Sequence, residues 1–435
     1  MNTLLVRPNC SEGYQSAVQG LRSCEMPVWL MMMANLYKNV FILDCEAKNY
    51  DFLQSKTTIC SYIKNFDVTK VVFLCTGSHP SANIQQTEIA LMLKDGIEDK
   101  VEIEVYDWLN FNPCDMQLPR YDLVNMNAYR PHNWHRWSAK ERNINKPVTI
   151  EDRVSDRDNS YGSIFSSISC PMNCSFCQVA DFYRSKYKKR DTTTFLQDIY
   201  TQYSVYDITN FKMMDELFAL PNEHVRDICL ELAKTIGSEI NIWAYARIDT
   251  VNEGLLKLLR SAGVRWLAYG IESGSQAIRQ SVDKGSFTNN KIAEVVKMTK
   301  DCGINVLGNY MFGFWDDTLD TMNETLDFAI KLNCEYSNFY ATVAYPGSKL
   351  YDEMKAKNVV LPTNYRQYAQ MSKEFIPLST ATLSSKEVLQ FRDEAFNIYH
   401  SNSNYLSMMK SKFSVDVMKE ILTMTCTKIE RELLK

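Results

Sequence analysis

The stretch Ser169-Cys170-Pro171-Met172-Asn173-Cys174-Ser175-Phe176-Cys177 places three cysteines within eight residues, with the spacing C-x3-C-x2-C. Thiolates are soft ligands that suit iron–sulfur clusters and zinc. Because a cubane cluster has four irons, three cysteines from one loop would leave one iron open to another ligand. The spacing could also arise by chance, since the chain has 13 cysteines, or it could belong to a zinc site, which needs a fourth ligand. The next cysteine or histidine candidates along the chain are His224 and Cys229.

The composition indicates a globular chain with more than one domain. Its 435 residues favour two or three domains. Hydrophobic residues make up 45%, charged residues make up 23%, and the net charge of −4 gives no reason to expect a nucleic-acid partner. The N-terminus reaches Arg7 and Pro8 after a short apolar stretch, and the longest apolar stretch, Val28–Ala34, is too short for a membrane span. We therefore expect a cytoplasmic protein whose cysteines are free thiols or ligands.

Residues 1 to 110 alternate short apolar runs with amphipathic segments, which predicts a parallel, doubly wound sheet. The predicted strands are Leu4–Arg7, Val40–Asp44, Val71–Cys75 and Val101–Val105, and the predicted helices are Pro27–Lys38, Asp51–Lys64 and Ile84–Lys94. Residues 111–160 look irregular and contain an aromatic-basic run, Tyr129–Trp137. This run either contacts a substrate or, in the interpretation we favour, pins two domains together through its rings.

The alternation of strands and helices restarts at residue 161. The predicted strands are Ser163–Ile168, Asn210–Met214, Ile240–Tyr245, Val264–Gly270, Ile304–Phe312 and Glu335–Val343, with helices such as Pro221–Thr235 and Thr318–Leu332 between them. Six β/α units predict a partial, barrel-like parallel sheet that is not closed by eight strands. From residue 378 the spacing of apolar residues is helical, over 385–400 and 413–434. The predicted domains are therefore 1–145, 146–377 and 378–435.

The cysteine spacing, with the aromatic Phe176 before the third cysteine, resembles the defining signature of the radical S-adenosylmethionine (SAM) superfamily. The stretches Met213–Phe218, Trp243–Asp249 and Tyr269–Ser275 resemble the strand ends that hold SAM in that family. The resemblance covers about residues 160–355. It implies a partial (β/α)6 TIM-like barrel and a [4Fe–4S] cluster on Cys170, Cys174 and Cys177, which cleaves SAM reductively to a 5′-deoxyadenosyl radical.

The same resemblance implies a set of SAM contacts. Phe176 would lie beside the adenine, Asp215 and Glu216 near the amino group, Arg247 near the carboxylate, and Gly270, Glu272 and Ser273 near the ribose end. A carboxylate such as Glu272 can accept hydrogen bonds from two adjacent hydroxyls. Structural alternatives stay open: a helix cap for the acidic pair and an Asp–Arg pair for Arg247. Where many relatives read G-x-P-G-E, this chain reads Gly313-Phe314-Trp315-Asp316-Asp317, so the turn there differs.

The N-terminal region resembles the Rossmann-like cobalamin (B12)-binding domain of one radical SAM subgroup. Thr76, Gly77 and Ser78 follow a predicted strand, and ligands of doubly wound sheets bind at such strand ends. The Asp-x-His-x-x-Gly motif that supplies a cobalt ligand elsewhere is absent, and His79 is interpreted as a loop residue rather than a ligand. A domain of this kind that has lost its ligand stays an alternative.

The resemblance implies cobalamin-dependent methylation of an unactivated carbon in a small-molecule, sugar or peptide substrate, with an external electron donor such as flavodoxin or ferredoxin. One alternative is a radical SAM oxidation or rearrangement without methylcobalamin. Methylthiotransfer is disfavoured because the N-terminal region has no second cysteine triplet. A different class, a non-catalytic metal-binding or redox-sensing protein, would have no reason to keep Asp215, Glu216 and Glu272 at strand ends. No catalytic residue is assigned.

Overall fold

The N-terminal part of the chain forms a parallel four-stranded sheet with the order β2-β1-β3-β4. The computed structural model describes residues 1–10, 15, 23–76, 80–97, 101–138, 160–184 and 186–435. Its first elements are β1 (Asn2–Arg7), α1 (Val28–Met33), β2 (Asn39–Asp44), α2 (Phe52–Asn65), β3 (Val68–Leu74), α3 (Pro80–Asp95) and β4 (Glu102–Tyr106). In a sheet of this order, ligands bind between β1 and β3, beyond the carboxyl ends of the strands.

Local sequence explains these first elements. The centres of β1 and β3 are buried apolar runs, as expected for strands covered on both faces. All six residues of α1 are apolar and buried, so this helix is enclosed between the sheet and the rest of the protein. Helix α2 begins at a capping box, in which Asp51 accepts from the Gln54 backbone and the Gln54 side chain accepts from the Asp51 backbone.

A second parallel sheet has six strands in sequence order, β5-β8-β9-β10-β11-β12. After α4 (Asn133–Arg136) its elements are β5 (Tyr161–Ile164), β6 (Ser167–Ile168), α5 (Val179–Tyr183), β7 (Lys188–Lys189), α6 (Thr192–Tyr206), β8 (Asn210–Met213), α7 (Glu223–Lys234), β9 (Asn241–Ala246), α8 (Glu253–Ser261), β10 (Val264–Glu272), α9 (Gln276–Ser281), α10 (Asn289–Asp301), β11 (Asn305–Phe312), α11 (Leu319–Leu332), β12 (Tyr336–Ala341), α12 (Lys349–Ala356) and α13 (Tyr365–Tyr368). Among the described strands, β5 and β12 are the two edges of this sheet, which is therefore a partial barrel.

The C-terminal region adds α14 (Ser385–His400), α15 (Ser403–Lys412) and α16 (Val415–Cys426). It covers the edge strand β12, where Arg392 of α14 donates to the Phe339 carbonyl at 2.6 Å. Just before this strand, Tyr399 and Tyr405 donate to the carbonyls of Cys334 and Glu335 at 2.6 and 3.1 Å. An edge strand leaves backbone groups unpaired, and covering it satisfies them. No helix in the described part of the chain combines the length and hydrophobicity that a membrane span requires.

The predicted α/β fold, with a Rossmann-like sheet, a partial barrel and C-terminal helices, is confirmed. Two predictions need correction. The strand predicted over Ser163–Ile168 is interrupted after Ile164, because Ser166 turns its backbone towards Asp215. The helix predicted over 413–434 ends at Cys426, and the following residues lie along a cavity. The domain boundary predicted at residue 145 falls outside the described residues and stays a prediction.

Candidate functional site

A cavity of about 1140 Å³ lies where the carboxyl ends of both parallel sheets meet. The N-terminal sheet contributes Arg7, Cys10 and Thr76, from positions at or just after β1 and β3. The barrel contributes Cys177 and many strand residues, including Met214, Tyr245, Asn309, Met311, Asn338 and Tyr340. Two domains whose ligand-binding edges face one cavity can present two different groups to one molecule.

The cysteine loop leaves the barrel after β6 and borders this cavity. Cys170 and Cys174 are half-buried, Cys177 is exposed, and none of the three forms a disulfide. Ser175, in the middle of the loop, donates its backbone N–H to Val282 O at 3.1 Å and accepts at its carbonyl from Leu350 N at 2.8 Å. The loop is therefore fixed by barrel backbone on both sides.

Asp215 anchors the start of the cysteine loop. Its carboxylate accepts hydrogen bonds from Ser166 N at 2.9 Å, Ser167 N at 2.6 Å and Ser166 Oγ at 2.6 Å. Burial raises the pKa of Asp215 to about 6, against the effect of these hydrogen bonds, which lower it. Since both oxygens are engaged by the loop, the structure gives Asp215 a positioning role, and its contact with SAM stays a prediction.

Glu216, the next residue, is half-buried and lies near Tyr183. Burial raises the pKa of Glu216 to about 7, the charge of Lys212 lowers it, and the charge of Asp215 raises it. A carboxyl group with this pKa changes its charge near neutrality, so it can donate or accept a hydrogen bond. Its predicted contact with the SAM amino group remains a prediction.

Arg247 forms the Asp–Arg pair considered for it, and its contact with the SAM carboxylate stays a prediction. Its guanidinium forms a bidentate pair with Asp249, with Nε–Oδ1 and Nη2–Oδ2 distances of 2.9 and 2.8 Å. Nη1 also donates to Cys174 Sγ at 3.4 Å, and Nη2 donates to Lys284 O at 2.7 Å. The Asp–Arg pair therefore fixes the guanidinium against one of the three thiols.

Gly270, Glu272 and Lys284 form one unit at the end of β10. Glu272 Oε1 and Lys284 Nζ form an ion pair at 2.8 Å, and each side chain is 8% exposed. Burial lowers the pKa of Lys284, but the charge of Glu272, its hydrogen bond to Lys284 and the charge of Cys174 together outweigh this effect, and the pKa is raised overall. A Cβ at Gly270 would lie 2.4 Å from Glu272 Oε1 and 2.5 Å from Lys284 Nζ, so any side chain there would require this pair to shift. We predicted Gly270 and Glu272 as ligand contacts but did not identify Lys284 as a partner.

Ser273 is enclosed by the protein, whereas Phe176 borders the cavity. Ser273 is fully buried, and its hydroxyl lies 3.0 Å from Thr325 Oγ1 on α11, so its partner is structural. Phe176 lines the cavity, with its ring centre 5.5 Å from that of Phe314. An aromatic face at this place suits a planar ring such as an adenine.

A carboxylate holds the Gly313–Asp317 turn. Asp317 Oδ2 accepts from the backbone N–H groups of Gly313 and Phe314, both at 3.0 Å. Gly313 has a φ of +90°, which glycine adopts without strain. This turn positions Phe314 beside Phe176.

On the N-terminal side, Thr76 borders the cavity, whereas Gly77, Ser78 and His79 lie outside the described residues. The prediction that Thr76, Gly77 and Ser78 contact a cobalamin therefore stays a prediction. Arg7 and Cys10, at the end of β1, border the same space. Arg7 is buried and forms a bidentate pair with Asp44 at 2.8 and 2.7 Å.

The aromatic-basic run connects the N-terminal sheet with the barrel. Tyr129 donates to Asp44 Oδ2 at 3.0 Å, at the end of β2. Trp134 packs inside the barrel, with ring centres 5.5 Å from Trp243 and 5.1 Å from Trp266. The run therefore joins the two parts, as we favoured, and Trp134 also borders the cavity.

An ion pair that the sequence analysis did not predict borders the cavity. Lys212, on β8, and Glu25, from the N-terminal region, are joined at 2.8 Å, and Lys212 Nζ lies 5.2 Å from the centre of the Trp243 ring. The sequence signal for this pair was Lys212 itself, a charged residue between the apolar residues Phe211 and Met213 of a strand. Its partner is 187 positions away along the chain, so no local pattern could identify it.

The residues at the cysteine loop fit an iron–sulfur cluster with SAM. They offer three thiols that form no disulfide, a guanidinium on one thiol and a cavity beside them. Among the described residues, no three His, Cys, Asp or Glu side chains converge as ligands of a single ion do. A cubane cluster does not need such convergence, because its cysteine ligands bind different irons. The cavity also exceeds the roughly 300–1,000 Å³ of ordinary small-molecule sites, so it has room for more than one ligand.

Comparison with known proteins agrees with this geometry. Residues 164–329 match the radical SAM superfamily. An uncharacterized methyltransferase of Pyrococcus horikoshii is 28% identical over 285 residues, which are 64% of this chain and 56% of that protein. The cytidylyl-2-hydroxyethylphosphonate methyltransferase of Streptomyces wedmorensis is 22% identical over 242 residues, covering 53% and 43%. The chain thus spans about half the length of these relatives.

Two solved structures share the fold over nearly the whole chain. The radical SAM methyltransferase TsrM of Kitasatospora setae, solved with cobalamin and a [4Fe–4S] cluster, has a TM-score of 0.65 at 13% identity and covers 97% of this chain and 99% of its own. The cobalamin-dependent SAM radical enzyme OxsB has a TM-score of 0.61 at 13% identity, covering 97% and 70%. The chain therefore has the fold of these two cobalamin-dependent enzymes, and its residues 164–329 are similar to the radical SAM superfamily.

Proposed function

We propose that this chain is a radical SAM enzyme that methylates an unactivated carbon with the help of cobalamin. The observation that carries the proposal is the single cavity bordered by Cys177, by the strand ends of the barrel and by Thr76 of the N-terminal sheet. The names of the relatives support it, since several are methyltransferases and the TsrM and OxsB structures hold cobalamin.

Cys170, Cys174 and Cys177 would hold the cluster, and residues near Thr76 would hold the corrinoid. When bound and reduced, the cluster supplies the electron for reductive cleavage of SAM, and methylcobalamin supplies the methyl group. Asp215 fixes the cluster loop through Ser166 and Ser167. The Arg247–Asp249 pair places a cation at Cys174.

Other residues shape the space between the two cofactor sites. The Glu272–Lys284 pair presents a carboxylate at the end of β10, where it can accept hydrogen bonds from ribose hydroxyls. Aromatic side chains, including Trp134, Trp243 and Tyr340, line the cavity. Holding two reactive groups against one enclosed molecule is how such residues accelerate a two-centre reaction. An external one-electron donor of the flavodoxin or ferredoxin type would reduce the cluster.

The cluster is tested by anaerobic reconstitution, followed by iron and sulfide analysis and a visible spectrum. Replacing Cys170, Cys174 or Cys177 by Ala should remove the cluster and abolish formation of 5′-deoxyadenosine from SAM. Cys302→Ala is the matched control, because Cys302 is a half-buried free thiol at the end of α10. Zinc without iron in the native protein would contradict the proposal.

The corrinoid is tested on the same preparation with hydroxocobalamin, gel filtration and a visible spectrum. Co-elution of corrinoid and protein is expected, and His79→Ala should leave it nearly intact, whereas a bulky residue at Gly77 should block it. If no corrinoid co-elutes from protein that cleaves SAM, the methyltransferase proposal fails. The alternative function, a radical SAM oxidation or rearrangement without methylcobalamin, would then remain.

A further inference from the structure

The wall of the cavity that the C-terminal region provides contains a buried arginine, Arg392 of α14. Arg392 is 5% exposed and borders the cavity. Its Nε donates to Phe339 O of the edge strand β12 at 2.6 Å, and its Nη1 donates to Asp393 Oδ1 at 2.8 Å. The guanidinium thus reaches from the outer helix to the barrel edge.

The charge at this wall is not balanced. Arg431, which is 4% exposed and also borders the cavity, donates to both oxygens of Asp393, at 2.9 and 3.0 Å. One carboxylate therefore faces two guanidinium groups. Elsewhere on the cavity, Lys212 has Glu25 as its own partner. A buried charge without its own counterion is costly unless a ligand pairs with it.

The third nitrogen of Arg392 identifies where that ligand would bind. Within the described part of the chain, Nη2 has no hydrogen-bond partner. Unlike the enclosed Nη2 of Arg190, it is not sealed from solvent. The guanidinium carbon also lies 5.8 Å from the centre of the Phe396 ring. A structural role at the edge of β12 accounts for the hydrogen bond that Nε donates, but it assigns no partner to the N–H groups of Nη2.

The surroundings indicate what the rest of the ligand resembles. Asn338 and Tyr340 lie two residues apart on β12, so they share the face that borders the cavity. Trp243 and Tyr245 of β9 border it from across the barrel. These side chains offer flat apolar surfaces with a few polar groups.

We infer that Arg392 binds an anionic group, a carboxylate or a phosphate, of the molecule that this cavity takes, while the body of that molecule packs against the aromatic strand residues. The inference rests on the proposed function in one respect: it identifies this molecule with the substrate. Guanidinium groups are well suited to this task, because they bind both anions through paired N–H donors.

The test uses full-length protein with its cluster reconstituted and three fluorescent probes. The probes are 1-naphthylacetate, its neutral isostere 1-naphthylacetamide, and 1-naphthyl phosphate. The measured quantity is the ratio of dissociation constants of the amide and the acid. The wild type should bind the acid at least about tenfold more tightly than the amide. Tighter binding of the phosphate than of the acetate assigns a phosphate, and the reverse assigns a carboxylate.

Three variants decide whether Arg392 causes this ratio. Arg392→Gln should reduce the ratio to near one, whereas Lys386→Gln, an exposed lysine on the same helix, should leave it unchanged. If Arg392→Gln does not fold, Asp393→Asn decides, because loss of the shared carboxylate should raise the ratio. A ratio near one in the wild type, no binding of any probe, or a ratio that Asp393→Asn does not raise would overturn the inference.

The same preparations are assayed for 5′-deoxyadenosine formed from SAM. Wild-type protein that distinguishes acid from amide but does not cleave SAM would refute the proposed function and leave the anion site intact. Protein that cleaves SAM but binds both probes equally would refute only the anion site.

Discussion

Asp215 offers the sharpest test of how the cluster loop is held, because two substitutions separate its possible roles. Asp215→Ala removes the acceptor of two buried backbone N–H groups, those of Ser166 and Ser167. Each buried donor left without a partner costs about 1–3 kcal/mol, so the two donors cost about 2–6 kcal/mol at the start of the cluster loop. Removal of the buried carboxylate returns roughly 3 kcal/mol of this at neutral pH, so the net loss of stability should not exceed about 3 kcal/mol.

The substitution Asp215→Asn keeps the shape of the side chain but removes its negative charge. Its amide oxygen can accept from both backbone N–H groups, and its NH2 can donate to Ser166 Oγ, which can reverse its role. The pKa of Asp215 is raised from 3.8 to about 6, so the ionised form costs the folded state roughly 3 kcal/mol at neutral pH. The folded state bears the whole of this cost at pH values above its own pKa of about 6, and none of it at pH values below the unfolded-state pKa of 3.8. Relief of it should bring Asp215→Asn close to wild-type stability.

Iron content, melting temperature and SAM affinity are measured for both variants, with Asp227→Ala of α7 as an exposed control. We expect Asp215→Ala to lose the cluster and Asp215→Asn to keep both the cluster and SAM binding. If both variants keep the cluster but lose SAM, the carboxylate binds the SAM amino group through its charge, and the positioning role derived from Ser166 and Ser167 is wrong.

Three further predictions concern the end of β10 and the C-terminal helices. Gly270→Ala should lower the melting temperature, because its Cβ would lie 2.4 Å from Glu272 Oε1; an unchanged melting temperature would show that the ion pair can move aside. Glu272→Ala should weaken SAM binding in equilibrium dialysis, through loss of an acceptor for the ribose hydroxyls, and equal affinity would limit Glu272 to pairing with Lys284. Burial lowers the pKa of His400 from 6.5 to about 4, so wild-type stability should fall by about 3 kcal/mol as the pH drops from 6.5 through 4. His400→Phe should lack this component in urea titrations at several pH values, and a parallel pH dependence would refute the assignment.

Much of the fold could be predicted because its signals are local. The strands of both sheets follow from apolar runs whose residues are covered on both faces, and α7 follows from apolar residues at helical spacing, Val225, Ile228, Cys229 and Leu232. The cysteine loop was predictable for the same reason, since its three thiols lie within eight residues. Periodicity and spacing of this kind depend only on neighbours along the chain.

The partners of the site residues could not be predicted in this way. Asp215 and Ser166 are 49 positions apart, Lys212 and Glu25 are 187 apart, and Arg392 and Phe339 are 53 apart. The sequence alone determined that three thiols share a loop and that parallel strands end near it. Only the tertiary structure decided which carboxylate holds the loop, which side chains lie against Gly270 and which N–H groups of Arg392 have partners. The reason is that burial and hydrogen bonding act between atoms that folding brings together.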